Sequence, residues 1–324
     1  MSADGSAGAS RQGGDRDDRA TMRWLRVRHE TSYHYDGEVE GAQHLAHLRP
    51  RETATQEVRA WSLAVTPRPD AGVGLASGIR ETTDPWGNAR QVFAHSDVHD
   101  QLDVVSSFEA GLLPPAPPAA HGGAAWRDVA RSLRYHAGVS REDAQAFEAS
   151  EFALASELAP VARSLADWAR ADADAHEGLV DLALALMHRL HAEFAYRPFS
   201  TSVGTGALDA LAQRQGVCQD YAHVMIGALR SLGLAARYVS GYLLTQPPPG
   251  QPRLLGADAS HAWVAVWCPP RGWLALDPTN DVPAGVDHVT LAWGRDYADV
   301  APLRGVIRGV GGAQPRVAVT VVPL

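Results

Sequence analysis

Gly216-Val217-Cys218-Gln219-Asp220-Tyr221-Ala222-His223 sets a cysteine after a glycine and directly before an apolar run. Val224, Met225, Ile226, Ala228, Leu229 and Leu232 recur at helical spacing and Gly233 supplies a stop, so the sequence predicts a buried helix with Cys218 in its first turn. Unpaired backbone N–H groups and the positive end of the macrodipole favour a thiolate there, which is how a nucleophile is made. The plainer role for Cys218 is that of a small buried hydrophobe, as most free cysteines of cytosolic proteins are.

Residues downstream favour the nucleophile. Ser260-His261-Ala262-Trp263-Val264-Ala265-Val266-Trp267 suits a strand that ends at the turn Cys268-Pro269-Pro270. Gly272-Trp273-Leu274-Ala275-Leu276 reads as a second strand, closed by Asp277-Pro278-Thr279-Asn280. A loop this short predicts a hairpin, with His261 and Asp277 on neighbouring strands. Cysteine, histidine and aspartate are the types needed for a nucleophile, a base that takes its proton, and a carboxylate that fixes the base's tautomer.

These stretches, with Leu234 to Tyr242 between them, resemble the transglutaminase-like superfamily of papain-like cysteine enzymes, in particular the bacterial proteins with a β-rich region ahead of the core. The resemblance covers nearly the whole chain after its N-terminal tail. It implies Cys218 as nucleophile, His261 as general base and Asp277 as orienting acid, on a papain-like α+β core whose Cys-bearing helix packs on a sheet carrying the other two. Calcium, used by some animal relatives, has no recognisable loop here, and neither a metal nor an organic cofactor is expected.

Composition fits an enzyme of two domains: 324 residues, 45% hydrophobic and 20% charged, carry ample material for a core. A net charge of −8 argues against a nucleic-acid partner, which would select a basic face. A disulfide between the two cysteines, Cys218 and Cys268, would consume the nucleophile. Both are therefore expected reduced, in the cytoplasm. No stretch has the length and apolarity of a membrane span, and the first residues lack the apolar core of a signal peptide.

Residues 1–21, rich in Gly, Ser, Ala, Asp and Arg, are expected to be disordered. From 22 to 113 the pattern is β-rich: Leu25, Val27 and His29 alternate with Trp24, Arg26, Arg28 and Glu30, and later runs carry Val58, Trp61, Leu63 and Val65. His95 and His99 have a spacing that suits a metal on a helix. On a strand or loop the same spacing is not expected to converge, so no metal site is predicted. Prolines 114, 115, 117 and 118 with Gly122-Gly123 mark a linker over 114–125. The catalytic domain is expected over 126–324, helical as far as the Cys218 helix, then stranded. It includes closing strands around Val306 and from Arg316 to Val322.

Backbone N–H groups at the start of the Cys218 helix are natural oxyanion donors. Gln219, Gln213 and Tyr196 are the side-chain candidates. Tyr242, Trp263 and Asn280 are candidates to line the cleft, with packing explaining Tyr242 and Trp263 equally well. His223 lies about 500° round the helix from Cys218 and so off its face. It and Asp220 are expected to be structural, Asp220 by adding negative charge to the first turn.

The sequence thus predicts an acyl-transfer enzyme acting through a thioester on a peptide, protein or isopeptide, with hydrolysis slightly ahead of transfer because transfer needs a second amine site. A protein-glutamine amine acyltransferase is the alternative. An acyltransferase using a thioester cofactor would want a basic patch that does not stand out, and a non-catalytic module is disfavoured by the complete triad.

Overall fold

The alternation that begins at Trp24 runs far enough to make one strand the spine of the first domain. In the computed structural model, which describes residues 22–71, 77–117, 123–134, 144–198, 200–245, 260–309 and 312–324, β1 spans Arg23–Ala46. Leu25, Val27, His29 and Thr31 face inward while Arg26 and Arg28 are exposed, as the period of two requires. The tail predicted to be disordered lies outside the described residues.

The remaining strands of the first half are β2 (Gln56–Thr66), β3 (Arg80–Thr83), β4 (Ala89–His95) and β5 (His99–Leu112), all antiparallel in the order β2-β5-β1-β4-β3. Then follow α1 (Trp126–Ser132), α2 (Ala144–Glu151), α3 (Arg163–Ala175), α4 (Leu179–Glu193), β6 (Ala195–Tyr196), α5 (Ala207–Gln213), β7 (Gln215–Gly216) and α6 (Cys218–Ser231). The last third gives β8 (Ala236–Leu243), β9 (Ser260–Cys268), β10 (Gly272–Asp277), β11 (Val282–Pro283), β12 (His288–Gly294), α7 (Tyr297–Val300), β13 (Leu303–Gly309) and β14 (Arg316–Pro323).

The two closing strands do not complete the catalytic domain, where the sequence reading put them. They return to β1, β14 pairing along Leu25–Ser32 and β13 along Val39–Ala46. Alternation announces a strand but not its partner. A 24-residue spine with β5 and β4 along one edge would leave its other edge bare, and the far end of the chain fills it.

The second sheet runs β11-β10-β9-β8-β12, and α6 lies against β8 and β9 with α3, α4 and α5 over its other side. Sandwiched in this way, α6 is buried continuously from Gln219 to Arg230, which is why its sequence is apolar almost all round. Leu165, Leu182, Leu186, Met225, Leu229, Val264 and Leu276 belong to this core. Among the described residues, no helix is long and apolar enough to cross a membrane.

A second core joins the domains, with Leu25, Val27 and Phe108 packed against Tyr242, Leu244, Val289 and Leu291. Side-chain amides finish the joint on β12. Gln56 exchanges hydrogen bonds with both backbone groups of Thr290, at 2.7 and 2.8 Å, and Asn88 does the same with Trp293, at 2.8 and 3.0 Å. An edge that would otherwise lack a ladder is satisfied by the other domain.

Arg230 anchors the far end of α6. It is 2% exposed and donates to the carbonyls of Phe152, Ala159, Ala236 and Arg295 and to Ser156 Oγ. Burial lowers its pKa to about 10, so it stays charged at neutral pH. Arg230→Met strips these partners from buried carbonyls and is expected to cost about 3–5 kcal/mol. The shift in the midpoint of urea unfolding measures it.

Candidate active site

Val217 is extended and Cys218 is the first residue of α6, so its N–H and the next have no intrahelical acceptor. The turn is closed from below by Asp220, whose Oδ2 accepts from Val217 N–H at 2.7 Å and from the Thr201 hydroxyl at 2.7 Å. Burial raises the Asp220 pKa and these bonds oppose that rise. Gly216 is glycine for a local reason: a Cβ there would lie 2.4 Å from Asp220 Oδ2. Gly216→Ala is therefore expected to cost about 1–3 kcal/mol and to slow alkylation of Cys218, because the carboxylate that shapes the helix mouth must move. Thermal unfolding and a labelling time course check the two effects.

The hairpin predicted from the Pro-Pro turn forms, with Cys268 opposite Gly272 and Val264 opposite Leu276. Asp277 comes one step past the last pair, and His261 three residues before Val264. His261 Nε2 lies 2.7 Å from Asp277 Oδ2, which leaves the other ring nitrogen free to serve Cys218, whose sulfur shares the cleft with the imidazole. Cys218 is half-buried and the Asp277 side chain is fully buried.

Five donors converge on the Asp277 carboxylate. Oδ2 faces His261, His288 Nε2 at 3.1 Å and Asn280 Nδ2 at 2.7 Å, and Oδ1 accepts from the N–H of Thr279 at 3.0 Å and Asn280 at 3.2 Å. Burial alone would push its pKa up, but the bonds from His261, His288 and Asn280 outweigh burial and hold the carboxyl well below the usual range. For His261 the balance is opposite in sign. Burial lowers its pKa, the Asp277 and Cys218 bonds more than offset that, and the imidazole is raised to about 10.

The cleft above the sulfur encloses about 330 Å³. Tyr196 lines it, brought beside the nucleophile turn by the parallel pairing of Tyr196 with Gly216. Burial, then Cys218, raise the Tyr196 phenol, so it remains an O–H donor. Gln219 also lines the cleft, but its Nε2 donates to Val203 O at 3.1 Å. Gln213 does not line it: Arg214, left-handed at φ 52°, ends α5 and leaves Gln213 exposed on the outside.

None of the three expected cleft-lining residues borders this space. Tyr242 shares the face of Tyr238 and Ser240, which do line it, but the first domain closes over Tyr242 and its hydroxyl bonds His29 Nδ1 at 2.9 Å. Trp263 shares the face of His261, which beyond that residue turns away from α6 into a separate cavity of about 700 Å³ beside Arg237, Trp273 and Trp293. Asn280 sits behind the triad, on Asp277. His223 points off the site as expected, its Nε2 accepting from Tyr297 N–H at 3.2 Å.

The sequence reading passed over His288. Its Nδ1 accepts from Gly285 N–H at 3.2 Å, which fixes Nε2 as the protonated nitrogen aimed at Asp277. The available signal was a histidine at the start of a strand, as His261 stands second in β9. It also passed over the cleft wall supplied by the first domain, His29, Thr31 and Tyr33, of which an inward-facing histidine on β1 was the visible sign.

The chain matches the family model described as transglutaminase-like superfamily over residues 163–278, and that described as bacterial transglutaminase-like N-terminal region over residues 25–110. An uncharacterized protein of Mycobacterium tuberculosis is 36% identical over 289 residues, 87% of each chain. A protein-glutamine gamma-glutamyltransferase of Pseudomonas aeruginosa is 37% identical over 152 residues, 44% of this chain and 22% of that protein. Among solved structures, a candidate cysteine protease from Cytophaga hutchinsonii superposes with a TM-score of 0.70 at 20% identity, covering 94% of this chain and 91% of that one, a likeness of fold.

Proposed function

The chain belongs to the transglutaminase-like superfamily, and from that premise we propose that it is a cysteine enzyme that opens an amide through a Cys218 thioester, with hydrolysis as the main outcome. The observation that carries this reading is Cys218 and His261 lining one cleft, with His261 held 2.7 Å from a fully buried Asp277.

In the proposed reaction the Cys218 thiolate adds to the amide carbon, forming the C–S bond while the C=O electron pair moves onto oxygen. The Cys218 N–H and the Tyr196 hydroxyl would receive that oxyanion, and losing one such donor typically costs about 3 kcal/mol of barrier. As the tetrahedral adduct collapses, the C–N bond breaks and His261 gives its proton to the departing amine. His261, now neutral, takes a proton from water, which attacks the thioester and releases the acid and the thiolate. Asp277 holds the ring throughout, and His288 and Asn280 hold Asp277.

Apart from Cys218, His261 and the buried His29, the described residues lining the cleft bear no charged side chain: Thr31, Tyr33, Tyr196, Val203, Gln219, Tyr238 and Tyr297 among them. Burial lowers the His29 pKa to about 4, so it too is neutral. This supports an uncharged segment as substrate, such as a glutamine carboxamide or a neutral stretch of peptide. The cytoplasmic location expected from the sequence is part of the same proposal.

The partial likeness to a protein-glutamine gamma-glutamyltransferase favours a second reading, in which a primary amine replaces water. Incubating the protein with glutamine-containing peptides, with and without a primary amine, and identifying products by mass spectrometry separates the two. Hydrolysis predicts cleaved or deamidated peptide even with amine present. A dominant amine adduct would replace it with the transferase reading, and no product with either would count against both.

A further inference from the structure

β4 ends on His95 and β5 begins on His99. The bend at 96–98, between two strands that run on along the same edge of β1, brings the two rings together, with centroids 5.1 Å apart. This corrects the expectation that the pair would not converge. His44 of β1, paired with Phe93, brings a third ring to 5.8 Å from His95. All three are buried, at 4%, 4% and 9% exposure for His44, His95 and His99.

Backbone carbonyls hold the outer nitrogens of two of them. His95 Nε2 donates to Pro67 O at 2.9 Å and His99 Nδ1 donates to Asp97 O at 2.8 Å. These bonds fix the tautomers, leaving lone pairs on His95 Nδ1 and His99 Nε2, and neither atom has a hydrogen-bond partner among the described residues. Both nitrogens of His44 are likewise without one. A buried polar group left unpaired costs about 1–3 kcal/mol, so four such atoms in one cluster call for a ligand. Gly305 of β13 makes room for the His44 ring itself, since a Cβ there would lie 2.4 Å from His44 Nδ1.

We propose that His44, His95 and His99 form a three-histidine site for Zn²⁺, separate from the Cys218 cleft. Histidines that ligate zinc usually donate their other N–H to a carbonyl or carboxylate, as His95 and His99 do. Nitrogens about 2.0–2.1 Å from one tetrahedral ion place ring centroids about 5 Å apart, close to the 5.1 and 5.8 Å that separate His95 from His99 and from His44. Three imidazole ligands without a carboxylate select zinc and its neighbours over calcium or magnesium. Among the described residues, the group whose ligand atoms already lie within 4.8 Å of one another is His261, Asp277 and His288, but those atoms are bonded to one another. The nitrogens of His44, His95 and His99 are spread wider, and His44, held by no hydrogen bond, is the ring that turns to close the site. The ion would then tie β1 to the junction of β4 and β5, with water in the fourth position.

The test uses the full chain, stripped with chelator and titrated with Zn²⁺ by calorimetry and with Co²⁺ by visible absorption. One equivalent of each is expected, with the bands of tetrahedral Co²⁺ and no thiolate charge transfer, and with Cys218→Ala behaving as wild type. His44→Gln, His95→Gln and His99→Gln should each weaken binding by about 100-fold or more, beyond what loss of an outer hydrogen bond does. Wild-type protein that binds neither ion, binding unchanged in the three variants, or binding lost in Cys218→Ala would overturn the assignment. Circular dichroism of each variant checks its fold, and the wild-type titration decides without any variant.

Discussion

Cys218→Ala is expected to reduce amide turnover by about 10⁴-fold or more, because it removes the atom that forms the thioester and leaves the rest of the site in place. Alanine is well tolerated in a helix, and the Cys218 side chain is only half-buried, so unfolding should shift by no more than about 0.5 kcal/mol. Loss of turnover with an unchanged melt is thus the expected pair of results. Cys268 provides the internal control. It is 3% exposed at the end of β9, and burial pushes its pKa up to about 12, so Cys268→Ala should retain turnover. The rate on a peptide identified by the product assay, with a melting curve for each variant, checks both.

Asp277→Asn should reduce turnover by about 10²- to 10⁴-fold and also change its pH dependence. The carboxylate accepts from five donors. An amide offers one acceptor and points two protons at donors, so no orientation satisfies both ends of the site. The charge matters as well. Burial lowers the His261 pKa, and the bonds to Asp277 and Cys218 carry it back up to about 10. Without the carboxylate, burial has the larger share and the pKa falls.

The imidazolium that must protonate the leaving amine then persists only to lower pH. The alkaline limb of kcat/KM should lie near pH 10 in the wild type and move down by several units in the variant. The stability link has definite signs. His261 is raised, so its contribution is complete below the ordinary imidazole range and is lost as pH climbs through about 10. Asp277 is lowered, so its contribution holds above the ordinary carboxylate range and is lost as pH falls beneath it.

The triad was legible because each member sits where local rules are strong. A glycine, a cysteine and an apolar run define a helix mouth, and a Pro-Pro turn followed by Gly272 fixes a hairpin. What escaped depended on partners distant in sequence. Period-two alternation put Trp263 on the face of His261 and Tyr242 on that of Tyr238, but not which face α6 covers or where the first domain closes over it. The closing strands were recognisable as strands, yet their pairing with β1 is a contact between opposite ends of the chain. His95 and His99 were set aside because that spacing on a strand or loop was not expected to converge, and the bend between β4 and β5 instead brings their rings to 5.1 Å.

Rate of carboxamidomethylation at neutral pH, mapped by mass spectrometry to each cysteine, tests the central claim without any assumption about substrate. Cys218 should be labelled first, to one equivalent and faster than a free cysteine, with His261→Ala slowing it and Cys268 unlabelled in the folded protein. Labelling of Cys218 no faster than a free thiol, or no change in His261→Ala, would contradict it.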